Sequence, residues 1–537
     1  MRLLSKLPRN CRMDPEETGT LEDQSRLIGS LLKRESYPHP VSSIEVFETH
    51  ISWVIATGAF AYKIKKAVNL GFLDFGTLQR RKYFCEEELR LNRQWAPELY
   101  LEVVPVCGRH DRPSVAGEGV AIEYAVKMVQ FPQSAQLDKQ LNAGLLHEKD
   151  LYELAETVAG YHGKARIIAY AGKRESVKKV KVPMLENFAP VEQAIDMGLL
   201  TRVQEWTSAS LYEIRPALVQ RRKNGFVREC HGDLHLANLV RLSRGIVPFD
   251  CVEFSADLRN IDVLSDIAFL VMDLVACARQ DLAYAFLNRY LERTGDYDGM
   301  RVFGLYFVYH CMIRAKVAAI RSTERPNAEE RRHDIEGLKH NLAVAIRWIE
   351  APAPRLLAMH GYSGSGKTWL SSQLMTQLPA IRLRSDVERK RLFGLDETAS
   401  SDSKPGKGIY TEASSDRVYE VLLEKAERLL GAGFSVIIDA SFLRGADRQS
   451  LVALADRQNL DHAILDTSAV RGALEQRLQN RSVDDKEASE ADIEILEHQF
   501  DTADALTAAE LERTVRVATD GDVDIGSVIK SLRSLGR

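Results

Sequence analysis

Eight consecutive residues, GYSGSGKT at Gly361–Thr368, restrict this chain more than any other stretch. They match GxxxxGK[ST] and stand between a short apolar run, RLLAMH, and a helical pattern, TWLSSQLMTQL, with Leu370, Leu374 and Leu378 on one face. A strand must therefore turn tightly into the start of a helix. Glycines let backbone N–H groups close on phosphate oxygens, and the helix N-terminus adds a positive dipole end. Gly361, Ser363, Gly364, Ser365 and Gly366 make up the cradle, Lys367 would neutralise the β/γ-phosphates, and Thr368 would ligate Mg²⁺. Further apolar runs follow, AIRLRSD, FSVIIDASF, HAILD and TVRVAT, each separated from the next by helical patterns. Continuous apolar strands alternating with helices predict a parallel α/β sheet.

Companion residues narrow the chemistry. Asp386 follows the second of these strands in RSDVERKR, with Arg389 three residues later. A carboxylate there can accept a substrate hydroxyl proton, while the arginine holds the substrate or the transferring phosphate. The plainer alternative makes Asp386 an ordinary N-cap of VERKRLF. Asp439, ending VIID, sits where a carboxylate would support Mg²⁺ or its water. Arg477 and Arg481 lie four apart on one helix face, ahead of the acidic VDDKEASEAD. That arrangement looks like a lid carrying arginines over phosphates; a solvated, salt-bridged helix is its alternative. With these motifs, residues about 355–537 resemble the P-loop small-molecule and polynucleotide kinases, a group including gluconate-kinase-like, zeta-toxin-like and polynucleotide-kinase-like enzymes. Acceptors across that group range from sugars to nucleic acid 5′-hydroxyls, so the resemblance does not transfer one.

At 537 residues the chain exceeds one ordinary core, and Glu350-Ala-Pro-Ala-Pro354 is its clearest linker, dividing 1–350 from 351–537. A formal net charge of −4 gives no general attraction to nucleic acid or anionic membrane, although RLRSDVERKR is a short basic run. The seven cysteines form no CxxC pair, which predicts free thiols in a reducing compartment. MRLLSKLPRN lacks the apolar core of a signal peptide, and IAFLVMDLVACA is too short and too charged to span a bilayer. A cytoplasmic protein with no membrane partner is expected.

The front is organised around HGDLHLANL, His231–Leu239, followed by Asp250 in VPFDCVEF. An aspartate, an asparagine five residues on and a second aspartate suit metal-assisted phosphoryl transfer: one carboxylate deprotonates a hydroxyl, and two oxygen ligands hold Mg²⁺. Before it the pattern predicts a helix at Leu27–Leu32 ended by Pro38 and Pro40, then three strands (SIEVFETH, ISWVIATG, AFAYKIKKAV), a charged helix over Leu78–Trp95, and two strands (YLEVVPV, AIEYAVKMVQF). HGDLHLAN resembles the catalytic loop of aminoglycoside phosphotransferases, a branch of the protein-kinase-like fold. That resemblance implies Asp233 as catalytic base, Asn238 and Asp250 as Mg²⁺ ligands, a strand lysine for the phosphates and a helix glutamate to hold it. Lys63 and Lys65 share a strand face, with Lys63 favoured because it follows an aromatic-apolar pair; Glu87 and Glu88 are both glutamate candidates, and Glu87 is carried forward with Lys63 as nucleotide-binding. Tyr124–Phe131 would meet adenine. The first strands lack GxGxxG, ETHIS occupying that turn. A zinc site from Cys230, His231 and His235 is the rival reading, without a second cluster at ligand spacing. Asp262, Asp266 and Asp273 are explained by capping and salt bridges.

The expected architecture is an α+β protein-kinase-like bilobal domain followed by an α/β P-loop NTPase domain, resembling bacterial proteins described as an aminoglycoside-phosphotransferase-like domain fused to a P-loop kinase. The expected activity is ATP- and Mg²⁺-dependent transfer of the γ-phosphate to a hydroxyl of a small molecule (aminoglycoside, sugar or related metabolite). Alternatives make one domain an ATP-binding regulator, or the chain a polynucleotide- or toxin-type kinase acting on nucleic acid or protein, which the acidic balance disfavours.

Overall fold

The computed structural model describes residues 20–535 apart from 72, 196–197, 398, 400, 402–407 and 482–492, and gives no side-chain description at 481. These residues form two compact units, one of Met1–Leu146, Lys164–Ile168 and Val227–Asp266, the other of His147–Gly163, Ala169–Phe226 and Ile267–Arg537.

The first unit is built on strands β1 (Glu45–Glu48), β2 (Ser52–Ala56), β3 (Phe60–Lys65), β4 (Tyr100–Arg109), β5 (Arg112–Val115) and β6 (Ala121–Val129), with a helix at Leu78–Trp95. They form an antiparallel sheet in the order β1-β2-β3-β6-β4-β5. Period-two alternation along β2 and β3 buries Trp53, Ile55, Tyr62 and Ile64 against Leu27, Ile28 and Leu31 of helix Leu21–Leu31. That helix starts on a capping box of Thr20 and Asp23 and ends at Leu32, well before the prolines expected to stop it. Strand β5 (RPSV) escaped the sequence pattern because it contains Pro113, which an edge strand tolerates. The opposite sheet face packs Tyr100, Val126 and Met128 with Cys85 of helix Leu78–Trp95 and with Val240 and Val247. Those two belong to a hairpin of β8 (Leu239–Leu242) and β9 (Gly245–Pro248); a short antiparallel pair, β7 (Val227–Glu229) and β10 (Asn260–Asp262), flanks it.

The second unit combines helices with a parallel sheet. Helices Met300–Glu324 and Ala328–Ile349 pack together, with the Phe307 ring stacked 4.0 Å from that of Trp348. Among the described residues one helix, Tyr297–Glu324, is long and apolar enough to cross a membrane, and 61% of its apolar window is buried within the protein. The sheet contains β11 (Leu356–His360), β12 (Ala380–Arg384), β13 (Ser435–Asp439), β14 (His462–Ser468) and β15 (Thr514–Ala518), all parallel, in the order β12-β13-β11-β14-β15. Leu357, Met359, Ile437, Ala463 and Leu465 meet Leu370 and Leu374 of helix Lys367–Gln377 and Val528, Ile529 and Leu532 of helix Ile525–Leu535 on one face. A kinase-like antiparallel sheet flanked by helices is thus followed by a parallel α/β domain.

Candidate functional site

Hairpin β8–β9 explains how the front residues meet. Residues flanking the open end of an antiparallel pair are neighbours, and here Phe249 N–H donates to the Asn238 carbonyl at 3.0 Å. Asn238 and Asp250 are brought side by side by that pairing. The Asn238 amide donates to the Asp233 carboxylate at 2.9 Å and to the Asp233 carbonyl at 3.0 Å, which ties the two residues together. Asp250 has φ of 60°, a left-handed conformation rare outside glycine and found where surrounding structure enforces it. Its N–H is held by the Tyr100 hydroxyl at 3.0 Å. Beneath the loop, Asp266 accepts from the N–H groups of His231 (3.1 Å) and Gly232 (2.8 Å). Gly232 sits at φ +84°, and a Cβ there would lie 2.8 Å from the Leu258 carbonyl oxygen.

Lysine and glutamate choices resolve on the sheet. Lys63 Nζ lies 2.5 Å from Asp250 Oδ1 and 2.8 Å from Glu88 Oε1. Lys65 Nζ binds Glu88 Oε2 at 2.7 Å and also Glu253. Glu88 therefore bridges both lysines. Lys65 is wholly buried, whereas the Asp250 side chain that Lys63 meets is 42% exposed, so Lys63 stands at the open end of the cluster. Burial opposes ionisation of Glu88, yet Lys63 and Lys65 hold its carboxyl well below the usual range; burial dominates at Glu253 and pushes it up. Glu87, the glutamate carried forward, is corrected: it faces away from the lysines and pairs with Arg90 (2.7 Å) and Arg259 (2.8 Å). The inward face of the helix, Cys85, Glu88, Leu91 and Trp95, carries the signal that separates the two.

Of the residues in the zinc reading, His231 has Nε2 on the Phe249 carbonyl at 2.9 Å and Nδ1 accepting from Asp233 N–H at 3.3 Å, so both its ring nitrogens are engaged by the loop itself. Oxygen donors from Asn238 and Asp250 instead suit a hard cation such as Mg²⁺. Of Tyr124–Phe131, residues up to Val129 are strand β6, and Phe131 packs edge-on to Phe249 at 5.3 Å. At the ETHIS turn the Thr49 hydroxyl accepts from Ser52 N–H at 3.0 Å, closing it without glycine.

Gly361–Thr368 joins β11 to helix Lys367–Gln377 as a backbone cradle. Gly361, Gly364 and Gly366 have positive φ, and a Cβ on Gly364 would lie 2.9 Å from the Leu474 carbonyl oxygen. Only glycine fits that approach. Lys367 Nζ is folded onto the carbonyls of Gly361 (2.9 Å) and Tyr362 (2.7 Å). Ser365 Oγ bonds Thr467 at 2.7 Å, and Ser363 N–H donates to Gln499 at 2.8 Å. Thr368 lies in the first turn of the helix, and Asp439 at the end of β13, 5% exposed, accepts from Ser371 Oγ at 3.1 Å; hydroxyl and carboxylate together suit Mg²⁺.

Asp386 lies in the first turn of helix Ser385–Leu392, half-buried, and accepts no hydrogen bond among the described residues. The N-cap is Arg384, so Asp386 does not cap. Arg389 is 8% exposed and donates to the Ile409 carbonyl at 2.9 Å, with its guanidinium over the Tyr410 ring. Arg477, expected above the phosphates, instead donates to the Gly364 carbonyl (3.0 Å) and the Thr519 carbonyl (2.6 Å), bracing the cradle from outside. The Arg481 side chain and VDDKEASEAD lie outside the described residues. The basic run is internal: Arg382 pairs with Glu292, Lys390 is 1% exposed, and Arg391 pairs with Glu388.

Residues 356–506 match the AAA domain family model, which makes the rear region a P-loop NTPase domain. An uncharacterized protein of Mycobacterium tuberculosis and another of Mycobacterium bovis are each 29% identical over 412 residues, spanning 75% of this chain and 80% of the relative. Among solved structures, a choline/ethanolamine kinase family protein from Mesorhizobium loti is 13% identical, covering 62% of this chain and 96% of its own, at a TM-score of 0.39. A gluconokinase from Sinorhizobium meliloti is 17% identical, covering 34% of this chain and 92% of its own, at a TM-score of 0.24. Neither structural likeness bears on a substrate.

Proposed function

We propose that this chain is a cytoplasmic ATP- and Mg²⁺-dependent phosphotransferase with two nucleotide sites, one in residues 1–350 and one in 351–537, each transferring the γ-phosphate to a hydroxyl of a small molecule. The observation that carries it is the convergence of Lys63, Glu88, Asn238 and Asp250, far apart in sequence, beside Asp233. In the front site Asp233 would accept the acceptor proton, Lys63 would meet the phosphates, and Asn238 and Asp250 would hold the metal. In the rear site Asp386 would take the proton, the Gly361–Gly366 amides and Lys367 would grip the phosphates, and Thr368 and Asp439 would hold the metal. Bound Mg²⁺ supplies charge neutralisation on the transferring phosphoryl group. A small-molecule acceptor is preferred to nucleic acid at the rear site, because the basic run Arg382–Arg391 beside it is engaged internally.

A second reading, with the rear domain as an ATP-binding regulator, draws on Arg389 and Arg477, which are engaged by protein carbonyls rather than standing over the loop. An ADP-release screen of hydroxyl metabolites and aminoglycosides, run on wild type, Asp233→Asn and Lys367→Ala, tests both. Two acceptors, each lost with one variant, support two kinases. A rear site that binds ATP without turnover supports the regulator. Full activity of both variants on every substrate rules out the proposal.

A further inference from the structure

Strand β12 lies at one edge of the parallel sheet, where backbone groups are left without a strand partner. Helix Gln280–Thr294, which precedes the Pro352/Pro354 linker in the chain and belongs to the same compact unit, covers that edge. Asn288, 1% exposed, donates its amide to the Ala380 carbonyl at 2.9 Å and accepts from Arg382 N–H at 2.7 Å. One side chain thus provides both bonds that a neighbouring strand would. One turn on, Glu292 Oε1 accepts from Arg382 Nε at 3.1 Å and Nη2 at 2.8 Å. Both partners are buried, Arg382 at 6% and Glu292 at 3% exposure. Burial opposes the Glu292 charge, but Arg382, Arg384 and Arg289 hold its carboxyl below the usual range.

The remaining guanidinium nitrogen of Arg382 turns toward the phosphate loop. Nη1 is 3.4 Å from the Thr368 carbonyl and 3.5 Å from Ser371 Oγ, and Ser371 Oγ is itself 3.1 Å from Asp439 Oδ2. Glu292 is therefore linked through one arginine to both residues assigned to Mg²⁺. Asp439 is the other carboxylate whose charge Arg382 feels most strongly. In so dry a setting a guanidinium that lost Glu292 would turn its attraction on Asp439 and blunt that carboxylate toward a cation.

We propose that Glu292 is a positioning residue of the rear phosphate site: it holds the Arg382 guanidinium to itself and so leaves the Asp439 carboxylate available to the metal. This rests on the reading of Gly361–Thr368 as an ATP·Mg²⁺ site. It also makes a helix from the front of the chain part of the rear site's support.

The test titrates Mg²⁺ against binding of a fluorescent ATP analogue to the full chain, taking as the rear-site signal the part removed by Lys367→Ala. Glu292→Gln is expected to raise the Mg²⁺ half-saturation about tenfold, the range of lost supporting contacts at metal sites. Adding Arg382→Met is expected to bring it back to within about twofold of wild type, because the competing cation is gone. Arg382→Met alone, measured with thermal unfolding alongside, is expected at or below the wild-type half-saturation. A merely structural role predicts otherwise: a folded Glu292→Gln with unchanged Mg²⁺ dependence, a double variant no better than the single, or an Arg382→Met that itself weakens Mg²⁺ would each overturn the proposal. If Lys367→Ala removes no signal, the reading of the loop fails instead.

Discussion

The proposed front and rear phosphate sites are built by opposite means. The rear cradle is backbone, eight consecutive residues whose glycines take positive φ so that N–H groups can converge. The front cluster is side chain: Lys63 from β3, Glu88 from a helix, Asn238 and Asp250 from the two ends of a hairpin, and Asp233 from the loop before it. Backbone donors carry no net charge and demand only space, so the rear site is vulnerable to an added methyl group. Side-chain charges buried together must be balanced, so the front site is vulnerable to losing one partner.

That contrast gives its largest effects in the front cluster. Lys65→Met removes the wholly buried partner of Glu88 and Glu253 and should lower stability by about 3–5 kcal/mol, because two carboxylates stay buried without it. Lys63→Met, at the open end, should retain more stability while cutting front-site kcat/KM for ATP about 10²–10³-fold. Denaturant unfolding and steady-state kinetics on both variants separate the two lysines; equal losses of stability and activity in both would erase the assignment. Next in size, Gly364→Ala should weaken rear-site nucleotide binding about 5- to 150-fold, the equivalent of about 1–3 kcal/mol of strain, while front-site turnover stays within about twofold. Unchanged binding would mean that the loop is not held by its backbone as described. Smaller again, Glu88→Gln should raise the front-site KM for ATP about tenfold, and Glu87→Gln, which breaks only Arg90 and Arg259 contacts, should stay within about threefold.

The same contrast decides how much could be read from the chain. GYSGSGKT was readable because its chemistry is contiguous, and the parallel sheet because its strands are continuously apolar between helices. Asp233, Asn238 and Asp250 were readable as a spacing, but the pairing of Lys63 with Asp250 spans 187 residues and exists only once the sheet and hairpin are folded. Glu88 over Glu87 was readable in principle from the line of Cys85, Leu91 and Trp95. Asp266 and Glu292 were not, since Asp266 sits on a strongly apolar helix with its loop partners 34 and 35 residues away, and the Arg382 that Glu292 holds lies 90 residues on. A polar side chain at a core position signals only that some partner must exist, not which one. Arg477 was misjudged for a related reason: an arginine beside a phosphate loop can face the ligand or clamp the loop, and only the Gly364 and Thr519 carbonyls distinguish these.

The smallest expected effect concerns the charge balance of the front cluster with pH. Glu88 is held below its unfolded value, taken as about 4.3, so its stabilisation is complete above that pH and is lost as pH falls toward its folded value. Glu253 is shifted the other way by burial, so between its raised folded value and about 4.3 the folded state binds more protons than the unfolded one. Stability from that group therefore rises as pH falls through this upper window. The two signs predict a shallow gain on acidification through that upper window, followed by a loss below about 4.3. Thermal unfolding followed from pH 8 to pH 3 should show Glu253→Gln without the gain and Glu88→Gln with a weaker acid loss. Rear-site Glu292 is shifted downward by Arg382, Arg384 and Arg289, and the groups it raises, Tyr297 and Tyr152, are phenols that titrate far above this range, so Glu292→Gln should weaken only the acid limb. If Glu292→Gln instead removed the shallow gain, the buried charge imbalance would belong to the rear of the chain, and the distinction between a charge-built and a backbone-built site would collapse.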